Sequence, residues 1–524
     1  MWIYRGLSWI TSVISIIILA LIPLYMVSSI IQMLEYSDLL GIFLNILLLI
    51  VELIGYLFAF YLFYMISGAF AFRSNSTTRT YNSAKRPSFS IIVPSHGTPF
   101  SVLEKTLQGT LKIDYDNYEI IVSDNGQDPD VTRQLKEFCD ANQIKFFHKH
   151  DTRGFKAGNI NAVLDKTIGD FIIILDSDHI PVPSLLTEFS KFKWNERIGY
   201  IQAKTSYRNT QRLYQAANSI LYSQFYEVFE AAKAQRGVVL FNGTTGCFRR
   251  EILIEVNGFS EDTLIEDIDT SIKILSKGYQ GRYLDFVGSH GLVPESAKAQ
   301  VTQLWRWAHG ACSVLRIRTR SILSSTSLSW TKKFELILNA MAFFSGVSVV
   351  LMMSILGLMI FSGIPFLRVE VFRFHLGYLM PTLVGISYSI AAFLAIIWEP
   401  RRQNLMKRLL QLIPFYLFSL GAFLFLISGV VDGILLKNTP LSEGSVWNRQ
   451  IRVVRNSFLA LCYCMVLIFI SIWRLSNNFS LFVLGGVFTW ILAPLVLLYE
   501  EFFPPQTNED PEETTALRDK LYDP

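Results

Sequence analysis

Asp176 and Asp178 stand beside His179 directly after the apolar run 171–175. Two carboxylates and an imidazole make an oxygen-rich donor set that suits Mg²⁺ or Mn²⁺, cations that commonly bridge to substrate phosphates. An Asp-x-Asp pair alone is common in surface turns. Its place after a buried strand gives it weight, because carboxylates there need a partner. A second acidic pair, Glu266 and Asp267, opens an amphipathic stretch that Gly278 would end, which puts both in the first turn of a helix over 266–277. A carboxylate so placed can take a proton from an incoming hydroxyl. It also reads as ordinary N-terminal helix charge, stabilised by the dipole. Lys156, at the start of an expected helix, reads on its own as a solvated helix residue. Gly-x-x-x-x-Gly-Lys is missing from the sequence, which disfavours a P-loop ATPase.

These residues need elements to hold them. FSIIVP (89–94), YEIIVS (118–123), IKFFH (144–148) and FIIIL (171–175) read as short buried strands. Helical patterns near 100–111, 129–142 and 156–167 separate them, at the spacing of βαβ units and a parallel sheet. The fold class is therefore α/β. Ligands of such sheets bind beyond the carboxyl ends of the strands, where His96, Asp124, Asp176, Asp178 and His179 fall.

The 524-residue chain is 51% hydrophobic and 17% charged, with a net charge of +4 too small to imply a nucleic-acid partner. The averages mix two kinds of chain. The stretch 73–333 is charged like a soluble domain, whereas 6–34 has no charged side chain and 39–72 only Glu52. Runs free of Lys, Arg, Asp and Glu recur at 336–361, 376–398, 409–431, 456–473 and 475–499. Each approaches or exceeds the ~20 residues that cross a bilayer. Arg401, Arg402, Lys407 and Arg408 precede the third of these and Lys437, Arg449, Arg452 and Arg455 follow it. Positive charge marks the cytoplasmic side, so 409–435 is expected to lie at the interface or re-enter, giving six crossings; a seventh remains the alternative. The termini and the middle domain then face the cytoplasm of a multi-pass plasma-membrane protein. The five cysteines show no metal spacing and read as free thiols.

Taken in order, the motifs resemble membrane-embedded processive family-2 glycosyltransferases, the group of cellulose synthase, hyaluronan synthase and the mannan and glucan synthase-like proteins. RGFKAGNIN (153–161), DSDH (176–179), IED (265–267) and QLWRW (303–307) carry the resemblance, with FNGTTGCFRR (241–250) similar to the mannan and glucan synthase-like branch. It implies a cytoplasmic GT-A (Rossmann-like) domain inserted between transmembrane helices: two helices in 1–72, the catalytic domain in 73–297, an interfacial helix in 298–333, two spans in 334–400, an interfacial or re-entrant helix and gating-like loop in 401–456, two spans in 457–499 and an acidic tail in 500–524. It further implies inverting transfer from a nucleotide sugar, UDP-glucose or another UDP-hexose, onto a growing β-linked polysaccharide that passes through the protein's own helices. Residue by residue, His96, Asp124, Lys156, Asp176 and Arg306 would bind the nucleotide sugar. Asp178 and His179, with Asp176, would hold the cation. Asp267 would be the base, with Glu266 beside it, and Glu266, Gln303 and Trp307 would meet the acceptor. Trp447 and Arg449 stand where cellulose synthases have a gating loop.

Some positions depart from the family pattern. Ser95-His96-Gly97 replaces a Tyr-containing turn, Ile265 replaces Thr, and Gln202-Ala203-Lys204-Thr205 replaces Gln-Thr-Pro-Gln. Trp305 reads as an interfacial anchor, and His309 and Cys312 as packing residues. Two helices, 211–235 and 298–322, are expected to seat the domain on the membrane face. A non-processive enzyme acting on a lipid acceptor shares the same motifs. A transporter or receptor with a soluble insert would leave Asp176, Asp178 and Asp267 without a task.

Overall fold

The computed structural model describes residues 2–33, 38–75, 86–210, 213–364, 370–371, 374–399, 405–435, 445–473 and isolated positions between 487 and 499. Two apolar helices come first, α1 (Trp2–Met33) and α2 (Leu39–Asn75). They pack together through side chains that need no water. Ser12 Oγ lies 2.6 Å from Ser67 Oγ, and the Tyr25 hydroxyl donates to Glu52, the one charge in 39–72. Polar partners across apolar helices satisfy groups that lipid cannot.

Eight strands then form one sheet. β1 (Phe89–Ser95), β2 (Tyr118–Asp124), β3 (Lys145–His148) and β4 (Phe171–Ile174) are the four expected strands, and they pair in parallel. β5 (Ile180–Pro181), β6 (Ile198–Tyr207), β7 (Gly246–Arg249) and β8 (Gln280–Gly291) complete the order β3-β2-β1-β4-β7-β6-β8-β5. The sheet is mixed, since β7 runs antiparallel to β4 and β6. The register sets the site's edge: Ser95 pairs with Asp124, and Asp124 with His148.

Helices α3 (Phe100–Thr110), α4 (Pro129–Ala141) and α5 (Phe155–Leu164) connect the first strands, α6 (Leu185–Lys191) follows β5, and α9 (Arg250–Glu255) and α10 (Glu266–Ser276) precede β8. Asp128 caps α4 by accepting from the amides of Asp130 and Val131, with Pro129 at the first helical position. Gly278, at φ 100°, follows the end of α10.

The expected helix over 211–235 is α7 (Leu213–Gln224), a π-helical turn (Phe225–Glu230) and α8 (Ala231–Arg236). It joins the domain to the apolar helices: the Arg236 guanidinium lies 3.4 Å above the Tyr64 ring, where Gly68 leaves room. The helix expected over 298–322 is α11 (Ala297–Ser324), capped by Ser296. Then come α12 (Trp330–Ala340), α13 (Phe344–Ser362), α14 (Leu376–Trp398), α15 (Leu405–Leu410), α16 (Leu412–Leu435) and α17 (Ser445–Trp473). Gly429 and Gly433 do not interrupt α16. They bring it against α11, where a Cβ would fall 2.8 Å from the Trp305 carbonyl and 2.6 Å from that of His309. Among the described residues α1 and α2 are long and apolar enough to cross a membrane; a third candidate is the pair Trp330–Phe343 and Gly346–Ser362, bent by 55°. Most of 475–499, and all of 500–524, lie outside the described residues.

Candidate active site

At the carboxyl ends of β1, β2 and β3 lies a polar floor. Asp124 is buried, with Oδ2 3.0 Å from His148 Nδ1. Asn125 Oδ1 lies 2.9 Å from His96 Nδ1 and accepts from Asn159 Nδ2 at 2.8 Å. Asn159 Nδ2 also reaches the Ser95 carbonyl at 3.0 Å. His96 itself is exposed, with its Nδ1 held by Asn125. The sequence pointed to His96, Asp124 and the Lys-Ala-Gly-Asn segment, but the tie between Asn125 and Asn159 joins residues 34 apart and carries no local signal.

The charged centre is built around Lys156. Its Nζ lies 2.5 Å from Asp176 Oδ1 and 3.9 Å from Glu266 Oε1, and it donates to the Gly243 carbonyl at 2.6 Å. Gly243, at φ 88°, separates Lys156 from Asp267: a Cβ there would sit 3.2 Å from Asp267 Oδ2 and 3.3 Å from Lys156 Nζ. The backbone angle calls for glycine, and the space beside it is tight. Burial works against the Lys156 ammonium, but the carboxylates of Asp176 and Glu266 outweigh it and raise its pKa. Asp267 retains some solvent contact, yet desolvation, reinforced by Glu266, pushes its carboxyl up to about 7. A carboxylate poised there suits general-base work near neutral pH.

Beside it, the ligand atoms of Asp176, Asp178 and His179 all lie within 4.8 Å of one another. His179 Nδ1 is 2.8 Å from Asp178 Oδ1, and its buried Nε2 has no hydrogen-bond partner among the described residues. Burial would raise the Asp178 pKa, but the His179 imidazole outweighs it and holds the carboxyl below its usual value. The donor types and their convergence fit a divalent cation. Thr244 Oγ1 accepts from the Asp176 amide at 2.9 Å, and the buried Gln202 holds the 242–244 loop through the Asn242 amide and the Thr244 carbonyl. Gln202 is thus a brace. Lys204, from the same departing segment, is buried in ion pairs with Glu227 and Asp285.

The Gln303–Trp307 segment lies on α11. Trp307 packs in a cluster with Ile265 and Ile268, which flank the acidic pair, and Ile265 fills the space opposite Gly310. That contact accounts for an apolar residue at 265. Gln303 accepts a hydrogen bond from the Tyr222 hydroxyl. Arg306 is exposed and has no hydrogen-bond or ion-pair partner among the described residues. Trp305 turns away and donates to Asp432 on α16 at 3.2 Å. Trp447 and Arg449 fall in the first turns of α17, on helix rather than loop; their side chains lie outside the described residues.

Residues 87–310 match the family described as glycosyltransferase like family 2. The chain is 29% identical over 241 residues to the UDP-forming cellulose synthase catalytic subunit of Xanthomonas axonopodis pv. citri, covering 44% of this chain and 32% of that protein. It is 27% identical over 242 residues to the corresponding catalytic subunit of Komagataeibacter xylinus, with the same coverage. The match therefore spans about a third of these relatives' own length. A mannosyltransferase from Pyrobaculum calidifontis, solved with GDP-Man and Mn²⁺, aligns over 74% of this chain and all of its own at 17% identity and a TM-score of 0.48. The α/β domain with its GT-A-like mixed sheet and the membrane-type helices before it agree with the sequence reading, and residues 87–310 are similar to family-2 glycosyltransferase domains of the cellulose synthase type.

Proposed function

We propose that the protein is an inverting, processive synthase. It transfers hexose from a nucleotide sugar, UDP-glucose or another UDP-hexose, onto a β-linked polysaccharide and passes the product through its own membrane helices. The observation that carries this is the convergence of Lys156, Asp176, Glu266 and Asp267 around Gly243, next to the Asp176-Asp178-His179 cluster. The similarity to UDP-forming cellulose synthase catalytic subunits supports the uridine donor.

In this reading Asp267 takes the proton from the acceptor hydroxyl as its oxygen attacks the anomeric carbon. The bond from that carbon to the diphosphate oxygen breaks, UDP leaves with the electron pair, and the configuration inverts. Asp124, with His96 above it, receives the base and ribose. Lys156 and Arg306 neutralise the diphosphate charge. Gln303, Trp307 and Glu266 hold the acceptor. Asp176, Asp178 and His179 would hold Mg²⁺ or Mn²⁺, which supplies Lewis-acid charge at the diphosphate when bound. The catalytic domain faces the cytoplasm, where nucleotide sugars are, with six crossings and α16 lying outside the crossing set.

A panel of UDP- and GDP-sugars with Mg²⁺ or Mn²⁺ tests the proposal on purified full-length protein. Polymer from a UDP-hexose, with linkage analysis giving β bonds, is the expected result. Addition of one sugar to lipid would overturn processivity and favour the lipid-acceptor enzyme. UDP release unaffected by Asp267→Asn would sink the mechanism.

A further inference from the structure

Between the metal-type cluster and the Gln303–Trp307 segment runs a set of aromatic rings. Tyr207, at the end of β6, has its ring 6.4 Å from the His179 imidazole at 78°. Tyr222, on α7, lies 4.6 Å from Tyr207 at 42° and meets Trp307 edge-on at 6.0 Å and 83°. The Tyr222 hydroxyl donates to Gln303 Oε1. Tyr222 is buried, so its ring is held on both sides while its one polar atom is committed to Gln303.

That hydrogen bond sets which way the Gln303 amide faces. With Oε1 engaged, Nε2 is the end left to donate, and it has no partner among the described residues. The edge-on contact likewise limits the tilt of the Trp307 ring, whose face could receive a sugar. The π-helical turn Phe225–Glu230 follows directly. It shifts the helical register between α7, which presents Tyr222 to α11, and α8, which presents Arg236 to α2.

We propose that Tyr222 is the positioning residue of the acceptor site: it fixes the Gln303 amide and the Trp307 ring in one orientation and, through Tyr207, ties them to His179. The inference rests on the acceptor role given above to Gln303 and Trp307. Loss of Tyr222 misplaces the acceptor hydroxyl and leaves donor binding intact. Water then takes the acceptor's place more often, and UDP is released without sugar entering product.

The test uses full-length wild-type protein, Tyr222→Phe and Tyr222→Leu, with UDP-glucose and Mn²⁺ as probe and a UDP-hexose panel behind it. UDP release and sugar incorporated into product are measured together with donor KM. Tyr222→Phe, which keeps the ring and deletes only the hydroxyl, should raise the ratio of release to incorporation about fivefold, the worth of one neutral hydrogen bond, at unchanged donor KM. Tyr222→Leu should raise it further. A purely structural role would lower release and incorporation in proportion, and that result, or an unchanged ratio in both variants, overturns the inference. Wild-type protein that releases no UDP from any donor overturns the glycosyltransferase reading of the site, and the inference with it. If Tyr222→Leu does not fold, Tyr222→Phe alone decides.

Discussion

In the proposed reaction Asp267 is the base, and its pKa fits that role. Burial first, and Glu266 second, push its carboxyl up to about 7, so at neutral pH it is divided between its two forms. Only the carboxylate can accept a proton, so transfer should climb as pH rises through about 7 and level off above it. A pH–rate profile of sugar incorporation checks this, and a limb near 4 would remove Asp267 from the role. Asp267→Asn should cut transfer by ~10²–10⁴-fold with nucleotide binding retained. The stability sign runs the other way. A carboxyl whose folded pKa lies above its unfolded value loses stability as pH rises from the unfolded value towards the folded one, here from about 4 to about 7, and carries the full cost above that. The amide removes that cost, so at pH 8 the variant should melt no lower than wild type. Asp267, Asp176, Asp178 and His179 were legible because each pair lies within a few residues. Asn125 and Asn159 were not, because their bond closes only when β2 and α5 are packed.

The first four strands, β1 to β4, were legible from runs of Ile, Val and Phe, and the end of α10 from Gly278, whereas β5, β6 and β8 gave no such signal. The antiparallel β7 was not legible either, because its direction is set by the 241–245 loop, where Gly243 and Thr245 take positive φ and Gly246 admits the Phe241 ring at a site where a Cβ would sit 2.3 Å away. A comparable constraint explains the glycine of the Lys-Ala-Gly-Asn segment. Gly154 (φ 75°) precedes α5, and a Cβ on Gly158 would fall 2.2 Å from the Arg153 carbonyl oxygen. That oxygen is backbone, so Gly158→Ala must move the loop that leads to Lys156. Overpacking of this kind costs ~1–3 kcal/mol. The variant should melt lower than wild type and show a raised donor KM. Wild-type values of both would mean the 151–155 loop yields freely and does not set the position of Lys156.

At the scale of the molecule, the apolar runs 6–34 and 39–72 announced α1 and α2, but nothing local announced how the catalytic domain is fastened to them. Arg73, in the last turn of α2, pairs with Glu227 of the π-helical turn and, at 3.0 Å, with Asp285 of β8. Lys204 of β6 reaches the same two carboxylates at 2.6 and 2.5 Å. Two cations and two carboxylates from four distant segments thus form one largely buried, charge-balanced ring. Such a ring is weak evidence of net stability, since desolvation offsets much of the attraction, but breaking it leaves an uncompensated charge. Arg73→Ala should therefore cost ~3–5 kcal/mol. Arg73→Ala with Glu227→Gln leaves Lys204 facing Asp285 alone, restores neutrality, and should recover part of that loss despite removing a second native group. Thermal melts of the two variants beside wild type measure both effects. If the double variant melts below the single one, charge balance is not what holds α2 to the domain, and the contact between Arg236 and Tyr64 becomes the main fastening.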